Sequence, residues 1–336
     1  MSKSNLKFAI VGCGRIGERH ARHIKKLANL SAVCDINLDR CINLLDDSSK
    51  CFDSIDSMLD SNLSPDVISI CSPNGLHAEQ TIKSLKSGHH VLCEKPMALS
   101  STDCGEMIKA SEQSNKRLFI VKQNRFNPPI KALKDAIDQN MLGKIYSVQL
   151  NCFWNRNKSY YKDDPWKGSL NLDGGTLYTQ YSHFIDLIYW LFGDISEVKG
   201  FSDNFNHKNS IEFEDTGVVA FKFESGGLGT IHHTINSYKS NMEGSITIFS
   251  EGGTIKIGGQ YLNTIDYQNT NGFELKHKAG NKANEYGKYQ GSMSNHGEVY
   301  ENVINVLDKG AEIITNSYEG LKTVQIIEKI YASYNK

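Results

Sequence analysis

The sequence predicts two domains: an α/β domain built on a parallel sheet, and an α+β domain with an open-faced, mostly antiparallel sheet. Its 336 residues suffice for about two domains of ordinary size. Short apolar segments alternate with helical patterns over residues 6–120, which indicates a parallel sheet covered on both faces. Beyond residue 122, successive strand patterns are joined by Gly-rich turns, as in antiparallel hairpins. We therefore expect domains at 1–121 and 122–336, with the C-terminal helix able to pack back on the first.

Five short apolar segments predict the strands of the first domain, at residues 7–11, 31–34, 66–70, 90–93 and 117–121. The helical patterns between them lie near residues 15–28, 38–47, 75–87 and 100–114.

The second domain is expected to begin with a helix at 127–139, a strand at 145–154 and a long helix at 175–192. Strands are then predicted at 195–203, 216–223, 227–236, 244–250 and 253–257. The polar residues 270–295 predict a surface loop, and two helices, near 297–308 and 317–334, end the chain.

Composition excludes several classes of function. The formal net charge of -1 lacks the basic excess of a nucleic-acid binder. No segment approaches the roughly 18 apolar residues of a membrane span, and the start does not resemble a signal peptide, so we expect a cytoplasmic protein. The eight cysteines all precede residue 153 and form no C-x-x-C pair. They predict reduced, structural thiols and no metal site.

A glycine motif joins the first strand to the first helix. It consists of Gly12, Gly14 and Gly17 in the spacing G-x-G-x-x-G. The first glycine permits the tight turn, the second lets the backbone approach a pyrophosphate, and the third lets helix and strand pack closely. This context predicts a dinucleotide-binding Rossmann domain, in which Arg15 and Ile16 also contact the cofactor. The alternative is a plain Gly-rich turn.

The second strand ends at Asp35, 18 residues after Gly17. A carboxylate there can accept hydrogen bonds from both hydroxyls of an adenine ribose and repels a 2′-phosphate. Arg40 is the nearest candidate cation for such a phosphate. We therefore predict NAD as the cofactor. The alternative is an ordinary turn or helix-capping aspartate.

Two further strand ends carry polar residues, where open α/β sheets bind ligands. After the strand at 66–70 come Ser72, Pro73 and Asn74, followed by His77, which is either a nicotinamide contact or a surface helix residue. After the strand at 90–93 comes Glu94-Lys95-Pro96. Partial burial and a nearby nicotinamide would depress the pKa of Lys95 and suit it to acid–base work, whereas alone it would be read as a surface lysine.

These motifs together resemble the Gfo/Idh/MocA oxidoreductases. The resemblance rests on G-x-G-x-x-G, on Glu-Lys-Pro, and on the segment GGTLYTQYSHFIDL at 174–187. It implies that Lys95 and His183 are the catalytic residues and that Glu94, Lys95 and Gln123 lie at the cofactor. The family aspartate four residues before the histidine is Thr179 here, which cannot serve as a base. Helical spacing predicts Thr179, His183 and Asp186 on one face.

A narrower resemblance is to the WlbA-type enzymes, which oxidise the 3-hydroxyl of UDP-N-acetylglucosaminuronate. It is carried by KQNRFNPP (122–129), FWNRNKSYYKDDPWKG (153–168), EDTGVVA (214–220) and NMEGSITIFSEGGTIKIGG (241–259). Cations suit a substrate carboxylate or diphosphate, and aromatic rings suit a base or sugar. The alternative is a packed aromatic loop. The predicted substrate-binding residues are Lys95, Arg125, Asn127, Trp154, Arg156, Tyr160, Thr179 and His183.

The predicted function is the NAD-dependent oxidation of a sugar hydroxyl, at C3 of a UDP-N-acetylhexosaminuronate or related UDP-amino sugar in surface polysaccharide biosynthesis. Another sugar, inositol, or reduction of a keto sugar fits the same residues. A non-catalytic NAD-binding sensor is the alternative that Thr179 favours. The expected partners are a small-molecule sugar or UDP-sugar and NAD, with no nucleic acid or membrane. The resemblance implies a homodimer or homotetramer formed through the open sheet.

Overall fold

The computed structural model describes residues 3–162, 164–285 and 290–334. The chain divides into two compact units. The first contains the residues up to Val121 together with His296–Val324, and the second contains Lys122–Asn295 and the chain from Gln325 onward. The chain therefore passes from one unit to the other after residues 121, 295 and 324, because the segment His296–Val324 belongs to the first unit.

The first unit is built on a six-stranded sheet with the order β3-β2-β1-β4-β5-β6, in which all neighbouring strands run parallel. Its strands are β1 (Lys7–Val11), β2 (Asn29–Cys34), β3 (Lys50–Phe52), β4 (Val67–Ile70), β5 (His90–Cys93) and β6 (Leu118–Ile120). Its helices are α1 (Arg15–Leu27), α2 (Leu38–Ile42), α3 (Ile55–Leu59), α4 (His77–Lys86) and α5 (Ser101–Gln113). The predicted Rossmann sheet is confirmed.

The central strands of this sheet are mostly apolar because helices cover both faces. All four residues of β4 are buried, as are the last four of β1. Ser100 caps α5, since its hydroxyl accepts the backbone N–H of Asp103. The parallel order brings the carboxyl ends of β1, β2, β4 and β5 to one edge, where the glycine turn and the Glu-Lys-Pro segment both lie.

The second unit contains a seven-stranded sheet with the order β13-β12-β11-β7-β10-β9-β8. Among its described strands the β7–β10 pair is parallel and the other neighbouring pairs are antiparallel, which confirms a mostly antiparallel sheet. Its helices are α6 (Pro128–Asp138), α7 (Lys158–Lys162), α8 (Thr176–Thr179) and α9 (Ser182–Phe192). Its large-sheet strands are β7 (Ile145–Phe153), β8 (Ile195–Asp203), β9 (Thr216–Phe223), β10 (Leu228–Thr234), β11 (Glu243–Ser250), β12 (Gly253–Gly258) and β13 (Thr264–Thr270).

One face of this sheet is buried and the other is exposed, as strict alternation along β9 shows. Val219, Phe221 and Phe223 are buried, whereas the alternate residues Val218, Ala220 and Lys222 are exposed. Phe201 pairs with Val218 across the sheet and is 82% exposed. The predicted open face therefore carries apolar side chains as well as polar ones.

Three sequence expectations for the second unit were wrong. The single helix at 175–192 is two helices, since α8 ends at Thr179 and α9 begins at Ser182. The strand β13 was not predicted. The segment 270–295 is not only a loop, because it contains the paired strands β14 (Ala283–Glu285) and β15 (Gln290–Met293). Residues 286–289 of that expectation lie outside the described residues.

Two helices complete the chain, α10 (His296–Lys309) and α11 (Ser317–Tyr334). Of the helices described, none combines the length and the apolar character needed to cross a bilayer.

Candidate active site

The glycine turn has the geometry that a dinucleotide requires. Gly12 has a φ of +95°, and a Cβ there would lie 2.6 Å from the backbone of Cys71 and Ser72. A Cβ on Gly17 would lie 2.1 Å from the carbonyl oxygen of Gly12, so helix and turn are in direct contact. Gly14 has nothing within 4 Å of its Cβ position. The first and third glycines are thus needed for packing, and the second leaves open space.

That open space lies at the start of α1. Arg15 is exposed and Ile16 half-buried on the first turn of this helix. The unpaired N–H groups of a helix N-terminus favour an anion such as a pyrophosphate. The turn therefore fits the pyrophosphate of a dinucleotide, and Arg15 and Ile16 stay predicted contacts.

The contacts of Asp35 fit both sequence-based interpretations, a ribose-binding carboxylate and a turn aspartate. One carboxylate oxygen accepts the N–H of Cys13 at 2.8 Å, and the other accepts the N–H of Asn37 at 2.8 Å. These bonds fix the carboxylate beside the glycine turn, yet an ionised carboxylate has about four acceptor positions. Ile36, which follows, is 94% exposed. No sequence motif signalled this exposed apolar side chain beside the predicted ribose site.

His77 is buried, with 1% of its surface exposed, so the surface-helix alternative is wrong. Its Nδ1 lies 2.7 Å from the carbonyl oxygen of Pro96, and its Nε2 lies 3.0 Å from that of Ser72. Both ring nitrogens thus contact backbone, which argues against the predicted contact with the cofactor. His77 instead connects the two strand-end turns. Ser72 hydrogen-bonds Gln80, and Pro73 and Asn74 begin the short 3-10 turn before α4.

In the Glu-Lys-Pro turn the two charged residues have different environments. Glu94 is buried and Lys95 is half-buried. Oxygen Oε2 of Glu94 accepts the backbone N–H of Lys95 at 3.0 Å. Lys95 stays a predicted contact of cofactor and substrate, whereas Glu94 is engaged with protein groups rather than with the predicted cofactor.

A buried ion triad lies in the second unit. The carboxylate of Asp186 receives Arg125 Nε at 2.8 Å, Arg125 Nη2 at 2.6 Å and Lys122 Nζ at 2.8 Å. Burial alone would raise the pKa of Asp186, but the two cations hold it well below its usual range. The Arg125 guanidinium also lies 5.0 Å from the ring centre of Trp190. This bidentate pairing argues against the prediction that Arg125 binds substrate.

His183 is buried on the first turn of α9. Its Nε2 lies 2.7 Å from the side-chain nitrogen of Gln123, which also donates to Ser292 Oγ at 3.1 Å. Gln123 was predicted to lie at the cofactor, and here it orients the histidine. Such a hydrogen bond fixes the ring orientation and the tautomer, as a catalytic imidazole requires.

Thr179 does not share a helix face with His183, because the break at 180–181 separates their helices. Its hydroxyl donates to a carboxylate oxygen of Asp173, and the other oxygen of Asp173 accepts the N–H of Gly168 at 2.7 Å. Thr179 thus binds a buried carboxylate that sequence analysis did not single out. The expectation that Thr179, His183 and Asp186 form one helical row is wrong.

The aromatic candidates pack around Arg156. Its guanidinium lies 4.9 Å from the ring centre of Trp154 and 5.3 Å from that of Tyr160, and its Nε donates to Gln180 at 2.7 Å. All three predicted residues are buried. The packed-loop alternative therefore describes these three residues better than an open stacking surface does.

Asn127 is likewise engaged by the protein. Its Nδ2 donates to the carbonyl oxygen of Tyr261 at 2.9 Å, and its Oδ1 accepts Asn295 Nδ2 at 2.7 Å. With no exposed surface, Asn127 anchors the start of α6 rather than offering a donor to a substrate.

The fold and the two strand-end turns define a class: a two-domain, NAD-dependent oxidoreductase. Residues 6–122 match the model of the oxidoreductase family with an NAD-binding Rossmann fold, and residues 130–256 match the GFO/IDH/MocA C-terminal domain. The chain therefore belongs to the Gfo/Idh/MocA family, as the motifs indicated.

Two similar solved structures are WlbA dehydrogenases in complex with NADH and UDP-GlcNAcA. That from Bordetella pertussis is 34% identical, with a TM-score of 0.88 and coverage of 99% of this chain and 97% of the other. That from Chromobacterium violaceum is 33% identical, with a TM-score of 0.90 and coverage of 100% and 95%. A 2,7-anhydro-N-acetylneuraminate hydratase of Escherichia coli is 28% identical over 76% of this chain and 71% of its own length.

Proposed function

We propose that this chain is a sugar dehydrogenase that oxidises the 3-hydroxyl of a UDP-N-acetylhexosaminuronate or a related UDP-amino sugar. The observation that carries the proposal is similarity over nearly the whole chain to two enzymes crystallised with NADH and UDP-GlcNAcA. The Escherichia coli hydratase matches a smaller share of the chain at lower identity. A role in surface polysaccharide biosynthesis would follow from such a substrate.

The residues that would hold NAD are those of the first unit's strand-end edge. The N–H groups after Gly14 would bind the pyrophosphate, and Asp35 would accept the ribose hydroxyls and disfavour a 2′-phosphate. Bound NAD would supply the hydride acceptor for oxidation of the sugar carbon.

Lys95 and His183 would supply the acid–base chemistry. One of them removes the proton of the sugar hydroxyl while the other donates a hydrogen bond to the same oxygen. The half-buried position of Lys95 and the Gln123 hydrogen bond to His183 both suit this work. Thr179 contributes no proton at neutral pH, so its part is confined to fixing Asp173. Lys95 and His183 belong to different units, and their convergence remains a prediction.

The substrate class can be tested directly. UDP-sugars, free sugars and inositols are screened with NAD by thermal shift, and the stabilising compounds are assayed for NADH at 340 nm. The proposal predicts that UDP-N-acetylhexosaminuronates give both stabilisation and turnover. Turnover confined to a free sugar or inositol would reject the UDP-sugar, and NAD retention without turnover of any sugar would favour the sensor.

The catalytic assignment is tested with Lys95→Met and His183→Asn. Each is expected to lower kcat at least about a hundredfold, because general acid–base groups contribute about that much. Lys109→Met is the matched control, since Lys109 is an exposed lysine of the same unit paired with Glu106. If both site variants retain the wild-type kcat, the assignment fails.

We also propose that the protein is a homodimer or homotetramer assembled through the exposed face of the seven-stranded sheet. Phe201 and Val218 are neighbours on that face. Light scattering of the wild type and of Phe201→Asp gives the mass of each. A wild-type monomer would refute this part of the proposal.

A further inference from the structure

Two buried histidines of the first unit surround the side chain of Glu94, next to the lysine turn. His20 lies on α1 and His296 is the first residue of α10. Both are almost completely inaccessible to solvent. His296 lies outside the two segments matched by the family models, and the proposed chemistry gives it no part.

The two carboxylate oxygens of Glu94 contact different groups. Its Oε1 lies 2.9 Å from His20 Nε2 and 3.3 Å from His296 Nε2. Its Oε2 accepts the backbone N–H of Lys95 at 3.0 Å. One carboxylate thus joins the two imidazoles to the backbone of the lysine that is proposed to do the chemistry.

The protons in this cluster can be placed in one consistent chain. Tyr300 Oη lies 2.8 Å from Ser69 Oγ and 2.7 Å from His20 Nδ1. If Ser69 donates to Tyr300 and Tyr300 donates to His20 Nδ1, the His20 proton sits on Nε2 and points at Glu94. Ser69, Tyr300, His20 and Glu94 then pair donor with acceptor without any added ion, and His296 Nε2 lies 3.3 Å from the same Glu94 oxygen.

The charge state agrees with this chain. Burial alone would raise the pKa of Glu94, but hydrogen bonds from His20 and His296 hold it well below its usual range. Burial lowers the pKa of His296 to about 4. At neutral pH His296 is therefore a neutral imidazole beside the Glu94 carboxylate.

A divalent metal is the competing interpretation, because the three ligand-type atoms lie within 4.8 Å of one another. A metal would need the lone pair of His20 Nε2, whereas the donor order from Ser69 through Tyr300 to His20 Nδ1 leaves a proton on that atom. The hydrogen-bonded arrangement accounts for the contacts of Glu94 without a cation, so the geometry favours it.

We propose that His296 is a positioning residue for Lys95. Together with His20 it fixes the carboxylate of Glu94, and Glu94 fixes the backbone of Lys95 through its N–H. The helix α10, which begins at His296, would thereby help to position the side chain of Lys95. The inference rests on the proposed function to the extent that Lys95 is taken as the acid–base residue.

The test compares three variants. His296→Ala removes the donor, and His296→Gln restores a side-chain N–H of similar reach. Val303→Ala is the matched control, because Val303 is fully buried on the same helix. Each is examined for NAD affinity, kcat and KM, melting temperature, metal content and hydrogen–deuterium exchange at the Lys95 amide.

For His296→Ala we expect amide exchange at Lys95 to rise about tenfold, as for loss of one ordinary hydrogen bond. Its kcat should fall about tenfold, with NAD affinity and KM within about twofold of wild type. His296→Gln should recover most of both effects. Val303→Ala should lower the melting temperature as much while leaving exchange at Lys95 and kcat near wild type.

Unchanged exchange at Lys95 in His296→Ala, or equal changes in Val303→Ala, would overturn the proposal. So would stoichiometric metal in the wild type that His296→Ala lacks. Because exchange needs no substrate, a raised exchange rate in a protein that turns over no sugar would leave the positioning role intact and count against the proposed function alone.

Discussion

Replacing Asp186 by asparagine would leave two buried cations without their counter-ion. The carboxylate is 2% exposed, and the side chains that contact it, Arg125 and Lys122, are 1% and 3% exposed. Asparagine has nearly the same shape, so packing around α9 would change little. The variant therefore isolates the electrostatic contribution of the triad.

The expected loss is large because water cannot reach the orphaned charges. Removing one partner of a buried ion pair costs about 3–5 kcal/mol. For a unit of this size each kcal/mol lowers the melting temperature by about 2–4 °C, so the predicted decrease is roughly 6–20 °C. Because the pKa of Asp186 lies well below its usual range, the wild type should retain this contribution in mildly acidic buffer.

Thermal and urea unfolding, monitored by tryptophan fluorescence, would measure the loss of stability. Trp190 is a local reporter, since its ring stacks on the Arg125 guanidinium. Asp138→Asn is the matched control, because it breaks the surface pair with Lys134, a contact of a kind worth about 0–1 kcal/mol. A loss below about 1 kcal/mol in Asp186→Asn, or one equal to the control, would refute the reasoning.

Further predictions concern the cofactor turn and the acid stability of the fold. Gly14→Ala should leave the melting temperature unchanged but weaken NAD binding in a fluorescence titration, whereas Gly12→Ala should destabilise the fold by about 1–3 kcal/mol, because its φ is +95° and its Cβ would collide with backbone. Asp35→Ala should raise the Kd for NAD at least about tenfold in the same titration, since hydrogen bonds to charged groups contribute about 1.5–3 kcal/mol; an unchanged Kd would remove Asp35 from the site. His233 is fully buried, and burial lowers its pKa to about 3. The unfolded state therefore binds its proton first, and urea unfolding should show stability falling as the pH drops below about 6.5, less steeply in His233→Gln.

The long elements could be predicted because their signals are local. The bounds of β1, β8, β9 and α11 agree with the residues expected from hydrophobic periodicity. The strand β3 and the helix α3 were missed, since three and five residues carry too little periodic pattern. The break at 180–181 contains no proline or glycine, so no helix-breaking residue signalled it.

The type of protein could be predicted from short sequence windows, because the glycine turn, the strand-end carboxylate, the Glu-Lys-Pro motif and the segment at 174–187 are each local. The contacts of these side chains, in contrast, depend on how the chain folds. Arg125 meets Asp186 61 residues away, and His20 meets Glu94 74 residues away. Such partners are chosen by the packing of distant elements, and a buried charge must find its counter-charge or hydrogen-bond donor wherever the fold supplies one. Residues chosen from the sequence as substrate contacts therefore proved to be bound by other parts of the protein.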